Sequence, residues 1–313
     1  MQHCRISIIV PFYGVEMFIA QCLDSLYSQD IPEEDFEVIC VNDCTPDNSA
    51  SIVESYAEKH LNLKIINYKE NRKLGGARNA GMEVATGNYI WFVDSDDFIE
   101  PNVLGTLCSI AEKDDLDILH FEYRNYPEHP VSHVVHENTG IMTGADLFFD
   151  KRFIWYHDLI TAWRKIYKRD FLISNRIDFA EHIMFEDNDY SIKAFAYAER
   201  VKHIALIAYN YRNNPDSITR TSQSSEHIFY WINLSHRLCI LKSNLSQDKK
   251  DIRFNSLIDG FIRYQMRNVI DVYLLLTGKE RDRARIIIRK GINHPLKKYT
   301  PLKTYYRIKL GLI

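Results

Sequence analysis

Four short apolar runs punctuate the first hundred residues: ISIIVPFY, FEVICVND, LKIINY and NYIWFVD. Between them the period of the apolar positions changes. VEMFIAQCLDSLYSQ puts Met17, Ile19, Ala20, Leu23 and Leu26 at helical spacing. DNSASIVESYAEKH reads as a second helix with Asp47 or Asn48 as its N-cap, and GGARNAGMEVATG as a third, closed by Gly87. NVLGTLCSIAEKD, with Pro101 suited to its first turn, makes a fourth, and DILHFEYRNY a further strand. Short continuous apolar runs are the mark of strands buried on both faces, and so tight an alternation with helices leaves room for little but right-handed parallel βαβ units. The expected fold is therefore α/β, a mostly parallel sheet flanked by helices.

After about residue 125 the regularity loosens. PEHPVSHVVHENTG reads as a long loop or hairpin, DNDYSIKAFAYAER as a helix and VKHIALIAYNYR as a strand. From about Glu226 onward nearly everything is helical. The expected organisation is a domain over 1–220, with a first half to 125 and a second from 126, followed by a helical C-terminal region over 221–313.

Charge is distributed unevenly. The chain carries −3 overall, yet Lys279 to Ile313 holds eleven Lys/Arg against Glu280 and Asp282. An acidic body with a basic tail argues against nucleic acid as a partner. The tail mixes basic with aromatic and aliphatic residues, so 281–313 either lies on an anionic membrane surface or packs on the protein with its charges in water. No apolar run reaches the roughly 18 residues a membrane span needs. Six scattered Cys without metal-ligand spacing read as reduced, mostly buried thiols of a cytoplasmic protein, and the N-terminus enters its first strand too soon to hold a signal peptide.

Ligands of parallel α/β sheets bind beyond the carboxyl ends of the strands. Pro11 and Tyr13 end the first strand, Asp43 the second, and Asn71 follows the third ahead of Gly75-Gly76-Ala77-Arg78-Asn79. Asp94-Ser95-Asp96-Asp97 ends the fourth. Carboxylates two apart in an extended segment point the same way and suit a hard cation such as Mg²⁺ or Mn²⁺; the rival reading is a solvated turn, with Asp97 starting the next helix. The glycine pair lets backbone N–H groups approach an anion at a helix start, with Arg78 forking to phosphate or carboxylate; the rival is an ordinary helix start. Asp43 is placed to accept an N–H from a pyrimidine base. Farther on, Glu186-Asp187-Asn188-Asp189 precedes a helix and offers a general base or a set of N-caps, while Arg212 and Ser217 offer anion contacts on a charged loop.

Taken together, IIVPFYGVEMFIAQCLDSL, VNDCTPDNS, ENRKLGGARNAG and GNYIWFVDSDD resemble the family 2 glycosyltransferases of the GT-A fold. Trp163-Arg164-Lys165-Ile166-Tyr167, Phe185-Glu186-Asp187 and Tyr209-Asn210-Tyr211-Arg212 with Ser217 resemble the acceptor half of bacterial members. The resemblance spans about residues 5–220. It implies that Pro11 and Tyr13 line a base pocket, that Asp43 reads a uracil edge, and that Asn71 and Arg78 contact the nucleotide. Asp94 would meet the ribose or the metal shell, with Ser95 beside it, and Asp96 would ligate Mn²⁺ or Mg²⁺. Asp187 would be the catalytic base, and Arg212 and Ser217 would hold the diphosphate. Two departures stand out: Asn42-Asp43-Cys44-Thr45 where the family is richer in Asp-Asp-Gly-Ser, and Lys73-Leu74 where a small residue is commoner.

The implied function is inverting sugar transfer from a nucleotide-sugar, a UDP-sugar first among them, to a glycan or lipid-linked acceptor in cell-surface polysaccharide synthesis, in the cytoplasm or peripherally on the inner face of the cell membrane. The rivals are a non-catalytic sugar-nucleotide-binding scaffold and a sugar-phosphate nucleotidyltransferase. The second would want a basic residue just after the first strand, and PFYGVEMF has none.

Overall fold

The computed structural model describes residues 4–127, 136–154, 158–213, 224–301, 305, 307 and 308. The chain divides into two compact units, one of residues up to 182 with 193–214, the other of 183–192 with the residues from 215 on.

The first unit is built on β1 (Ile6–Phe12), β2 (Phe36–Asn42), β3 (Leu63–Asn67), β4 (Tyr89–Phe92), β5 (Phe98–Ile99), β6 (Ile118–Tyr126), β7 (Lys165–Lys168) and β8 (Val201–Arg212). They form one sheet in the order β3-β2-β1-β4-β7-β6-β8-β5. Strands β3, β2, β1 and β4 are mutually parallel, as expected. Every residue of β1 and β4 is buried, whereas β3, at the sheet edge, is half open to water. Phe12, Asn42 and Asn67 pair across the sheet, so three strands finish at one level and present their following loops together. Helices α1 (Ile19–Leu26), α2 (Ser49–Ala57), α3 (Lys73–Val84) and α4 (Leu104–Lys113) supply the crossovers. One core joins Ile8, Val10, Leu23, Trp91 and Leu107.

Four local expectations give way. β7, KIYK, was not anticipated; it inserts antiparallel between β4 and β6, so this half of the sheet is mixed. Four residues, two of them lysines, are too few to show a period. Gly87 does not cap α3, which ends at Val84 with Ala85 extended at ψ 134°. Gly87 crosses β1 so closely that a Cβ there would stand 2.5 Å from the Ser7 nitrogen. Pro101 lies ahead of α4 rather than within its first turn. Asp97 leads into β5, not into a helix.

Beyond α4, α5 (Gly144–Phe148) and α6 (Arg169–Ser174) complete the first unit, and α7 (Asp187–Tyr197) follows. The second unit holds α8 (Ser225–Gln247), α9 (Ile252–Leu275), α10 (Gly278–Gly291) and the short α11 (His294–Lys297). Leu234, Leu238, Ile258, Ile262 and Met266 are buried within it, and Ala284, Ile288, Leu296, Tyr299, Tyr305 and Ile308 of the basic tail are buried too. Of the two readings of the tail, this packing is what the second requires. No described helix is long and apolar enough to cross a membrane, and all six cysteines are free thiols.

Candidate active site

The loops after β1, β2, β3 and β4 carry the polar residues singled out in the sequence. Pro11 is buried within β1, opposite Val41. Tyr13, just past the strand, is 49% exposed. Asp43 follows β2 and is buried, with its Oδ1 accepting the Arg72 N–H at 2.7 Å. Burial raises its carboxyl above the usual aspartate range, against the pull of the Arg72 and Lys73 backbone donors. Asn71 closes the same turn: its Nδ2 donates to the Asp43 carbonyl at 3.3 Å, and its Oδ1 accepts from the Lys73 N–H at 3.1 Å. Asp43 and Asn71, 28 residues apart, are thus brought into contact.

Helix α3 runs from this turn with Gly75 and Gly76 in its first turn. Packing accounts for both glycines. A Cβ on Gly75 would stand 2.1 Å from the Ala180 carbonyl oxygen, and one on Gly76 would stand 2.6 Å from the Arg72 Cβ. Arg78, one turn on, is almost fully buried. Its Nη2 donates to Asp94 Oδ1 at 2.8 Å while its guanidinium lies over the Phe179 ring. The expected nucleotide contact is therefore, in this conformation, a contact with the strand-end carboxylate.

The four residues after β4 are not equivalent. Asp94 is ion-paired to Arg78 and gives its backbone N–H to the Tyr209 hydroxyl at 3.1 Å. Ser95 is buried and Asp96 half-buried in the turn that follows. Asp97 is 2% exposed. Its Oδ2 accepts from the Tyr209 hydroxyl at 2.8 Å and its Oδ1 from the Arg212 N–H at 2.6 Å. Burial, then the charges of Asp96 and Asp94, push its carboxyl well above the usual range despite these donors. Repulsion within DSDD is thus relieved by neutralising one acid with Arg78 and disfavouring ionisation of another. Among the described residues the carboxylate of Asp96 has no hydrogen-bonded or ionic partner. A half-exposed, uncommitted carboxylate beside an ion-paired one is the donor chemistry a hard divalent cation takes.

Arg212 ends β8 over the same turn. Its Nε donates to the Asp96 carbonyl at 2.7 Å, its Nη2 to Gln21 at 2.5 Å, and its guanidinium faces the Phe18, Phe98 and Tyr126 rings. Ser217 falls outside the described residues. Asp187, the first residue of α7, is half-buried and belongs to the second unit; in that unit its neighbour Asp189 pairs with Arg237 at 2.5 Å.

For two residues that shape this edge the sequence gives the wrong role or none: it suggests a helix start for Asp97 and marks Tyr209 by resemblance alone. The available signal was a third acid at the end of an apolar strand, where a merely solvated carboxylate has no reason to be.

The family described as glycosyl transferase family 2 matches residues 7–173. The uncharacterized glycosyltransferase EpsJ of Bacillus subtilis is 37% identical over 223 residues, 68% of this chain and 62% of that protein. The poly(ribitol-phosphate) beta-N-acetylglucosaminyltransferase TarS of Staphylococcus aureus is 30% identical over 250 residues, 79% of this chain and 42% of that protein. The chain thus spans less than two thirds of the length of these curated relatives. The crystal structure of S. aureus TarS 1–349 in complex with UDP-GlcNAc superposes with a TM-score of 0.70 at 22% identity, covering 98% of this chain and 87% of that one. The shared architecture is the GT-A fold with C-terminal helices. On the match across more than half its length, the chain belongs to glycosyl transferase family 2.

Proposed function

We propose that the protein is a metal-dependent, inverting glycosyltransferase that moves a sugar from a nucleotide-sugar, in the first place a UDP-sugar, to a hydroxyl of a glycan or lipid-linked acceptor in cell-surface polysaccharide synthesis. The observation that carries the reading is the uncommitted Asp96 carboxylate between an Arg-paired Asp94 and a buried Asp97, at the carboxyl edge of a parallel sheet. Family membership and the glycan-directed names of the relatives support it, and the UDP-GlcNAc complex of TarS supports the donor class.

Asp96 would hold Mn²⁺ or Mg²⁺, with Asp94 beside it, and the ion would offset the charge that grows on a departing diphosphate. Arg78 pairs with Asp94 and fixes its carboxylate. Asp43 and the Asn71 turn present acceptors and donors to the base, with Pro11, Tyr13 and Ser95 completing the nucleotide contacts, and Arg212 with Ser217 supplies the cationic side of the diphosphate. Asp187 is the proposed base. It takes the proton from the acceptor hydroxyl, whose oxygen attacks the anomeric carbon opposite the nucleotide, inverting that centre in one displacement. The proposed setting is the cytoplasm, with the exposed basic residues of the packed tail, Arg289 and Lys290 among them, contacting an anionic membrane surface.

The test is nucleotide release from a panel of sugar nucleotides with Mn²⁺ or Mg²⁺, with and without candidate acceptors. Metal-dependent release from one donor is expected. Asp187→Asn should lower turnover by about 10²–10⁴-fold, the usual worth of a positioned base, and Asp96→Ala should abolish most of it. Tight nucleotide binding with neither hydrolysis nor transfer would overturn the reading in favour of the scaffold.

A further inference from the structure

Apart from the carboxylate edge, the sheet carries a second group of ionisable side chains. Leu119 and Phe121 of β6 belong to the core around Trp91. His120 and Glu122, on the alternate positions, are also fully buried, as is His203 of β8, and the His136 side chain is 9% exposed. Glu122 Oε1 lies 2.8 Å from His136 Nδ1 and 3.3 Å from His203 Nε2. The His136 carbonyl oxygen is also 3.3 Å from His203 Nε2.

The protons in this cluster are constrained. His120 Nε2 faces the Asp158 carbonyl at 2.9 Å and so carries a hydrogen, which leaves its Nδ1 as an acceptor. His203 Nδ1 stands 2.8 Å from that Nδ1 and must donate to it. A neutral His203 then has a bare Nε2 lone pair aimed at a carboxylate oxygen and a carbonyl oxygen. A metal ion at this point would meet all three atoms and leave every ring neutral, and the ligand atoms of Glu122, His136 and His203 lie within 4.8 Å of one another.

We propose that Glu122, His136 and His203 form a binding site for a borderline transition-metal ion of the Zn²⁺ class, distinct from the cation site at Asp96. Two imidazole nitrogens and one carboxylate oxygen are the donor set such an ion selects, whereas the carboxyl edge offers oxygen alone. Bonds of about 2.0–2.2 Å space tetrahedral ligands by about 3.3 Å, so the Glu122–His203 pair is already at that spacing and His136 opens by about half an ångström. The outer contacts are those that ligands to such ions keep. His203 donates through His120 to a backbone carbonyl, and the other carboxylate oxygen of Glu122 is held by the buried guanidinium of Arg164, which also meets Asp158 at 3.2 Å. The His136 carbonyl or a water completes the coordination. The ion's role is structural. It pins the segment at 136–139, which already bonds to β8 through Thr139 and Asn138, onto β6 and β8.

The experiment loads the full chain with Zn²⁺, dialyses it against metal-free buffer and measures bound zinc by mass spectrometry. About one ion per chain should remain, in the wild type and in Asp96→Ala alike, and occupancy should fall at least about tenfold in His136→Ala. Zinc K-edge absorption on the wild type, which does not depend on the variant folding, should show two imidazoles in a nitrogen/oxygen shell at about 2.0–2.1 Å. Folded wild type that keeps no zinc, an all-oxygen shell, or a folded His136→Ala that keeps its zinc each overturns the proposal.

Discussion

Tyr209→Phe isolates the group that ties the DSDD turn to β8. The Tyr209 ring is fully buried and stacks on Trp163 at 4.5 Å, so removing the hydroxyl leaves the packing in place. Two hydrogen bonds go: the donation to Asp97 Oδ2 at 2.8 Å and the acceptance from the Asp94 N–H at 3.1 Å. Net values of about 0.5–1.5 kcal/mol each, with the upper end set by the buried partners left behind, predict a loss of about 2–3 kcal/mol. At about 2–4 °C per kcal/mol for a unit of this size, the melting temperature falls by about 5–10 °C. The penalty also has a pH signature. The folded carboxyl of Asp97 is raised, chiefly by burial, so the stability of its protonated form is present below the ordinary aspartate range and is lost as pH rises through the raised value. The Tyr209 hydroxyl favours the ionised form, so Phe raises that value further, and the penalty grows from acid toward alkaline pH. Urea unfolding followed by tryptophan fluorescence over a pH series measures both quantities, and an Asp97→Asn background should abolish the pH dependence. A change below about 0.5 kcal/mol, smaller than one net hydrogen bond, or a penalty flat with pH, refutes this account of the turn.

The same unit offers two further tests, and the tail a third. Glu37 is buried and accepts from Ser7, Lys64 and Thr86, all at 2.6 Å; burial opposes its ionisation, but these donors outweigh it and hold the carboxyl below its ordinary 4.5. Its contribution is therefore complete above that value and lost as pH falls through the folded one, and Glu37→Gln should flatten the acid limb of the urea midpoint against pH. Gly75→Ala must displace the Ala180 backbone and should cost about 1–3 kcal/mol, while Gly140→Ala, with nothing within 4 Å of the added carbon, should be close to neutral in the same denaturation assay. Arg289 and Lys290 are exposed on α10, and changing both to Gln should weaken sedimentation with anionic vesicles by about 1 kcal/mol per residue; equal binding to anionic and neutral vesicles removes the membrane reading.

What was legible in the sequence follows from where the decisive contacts lie along the chain. β1 and β4 are buried on both faces, so their burial is written locally as unbroken apolar runs, and the loops at their carboxyl ends could be located without a structure. KIYK carries no such mark because its place between β4 and β6 is set by partners about 45 and 75 residues away. The site shows the same division. That carboxylates gather after β4 is a local fact. Which of them is free is not, since Asp94 is neutralised by Arg78 from α3, while Asp97 is held by Tyr209 and Arg212, more than a hundred residues later. The glycine pair of α3 suggests, in sequence, a backbone opened to an anion, yet Gly75 answers to Ala180, just over a hundred residues on. A motif read locally treats its residues as equals; the fold ranks them by the partners it brings, and Asp96, whose carboxylate meets none among the described residues, is the one proposed to hold a cation.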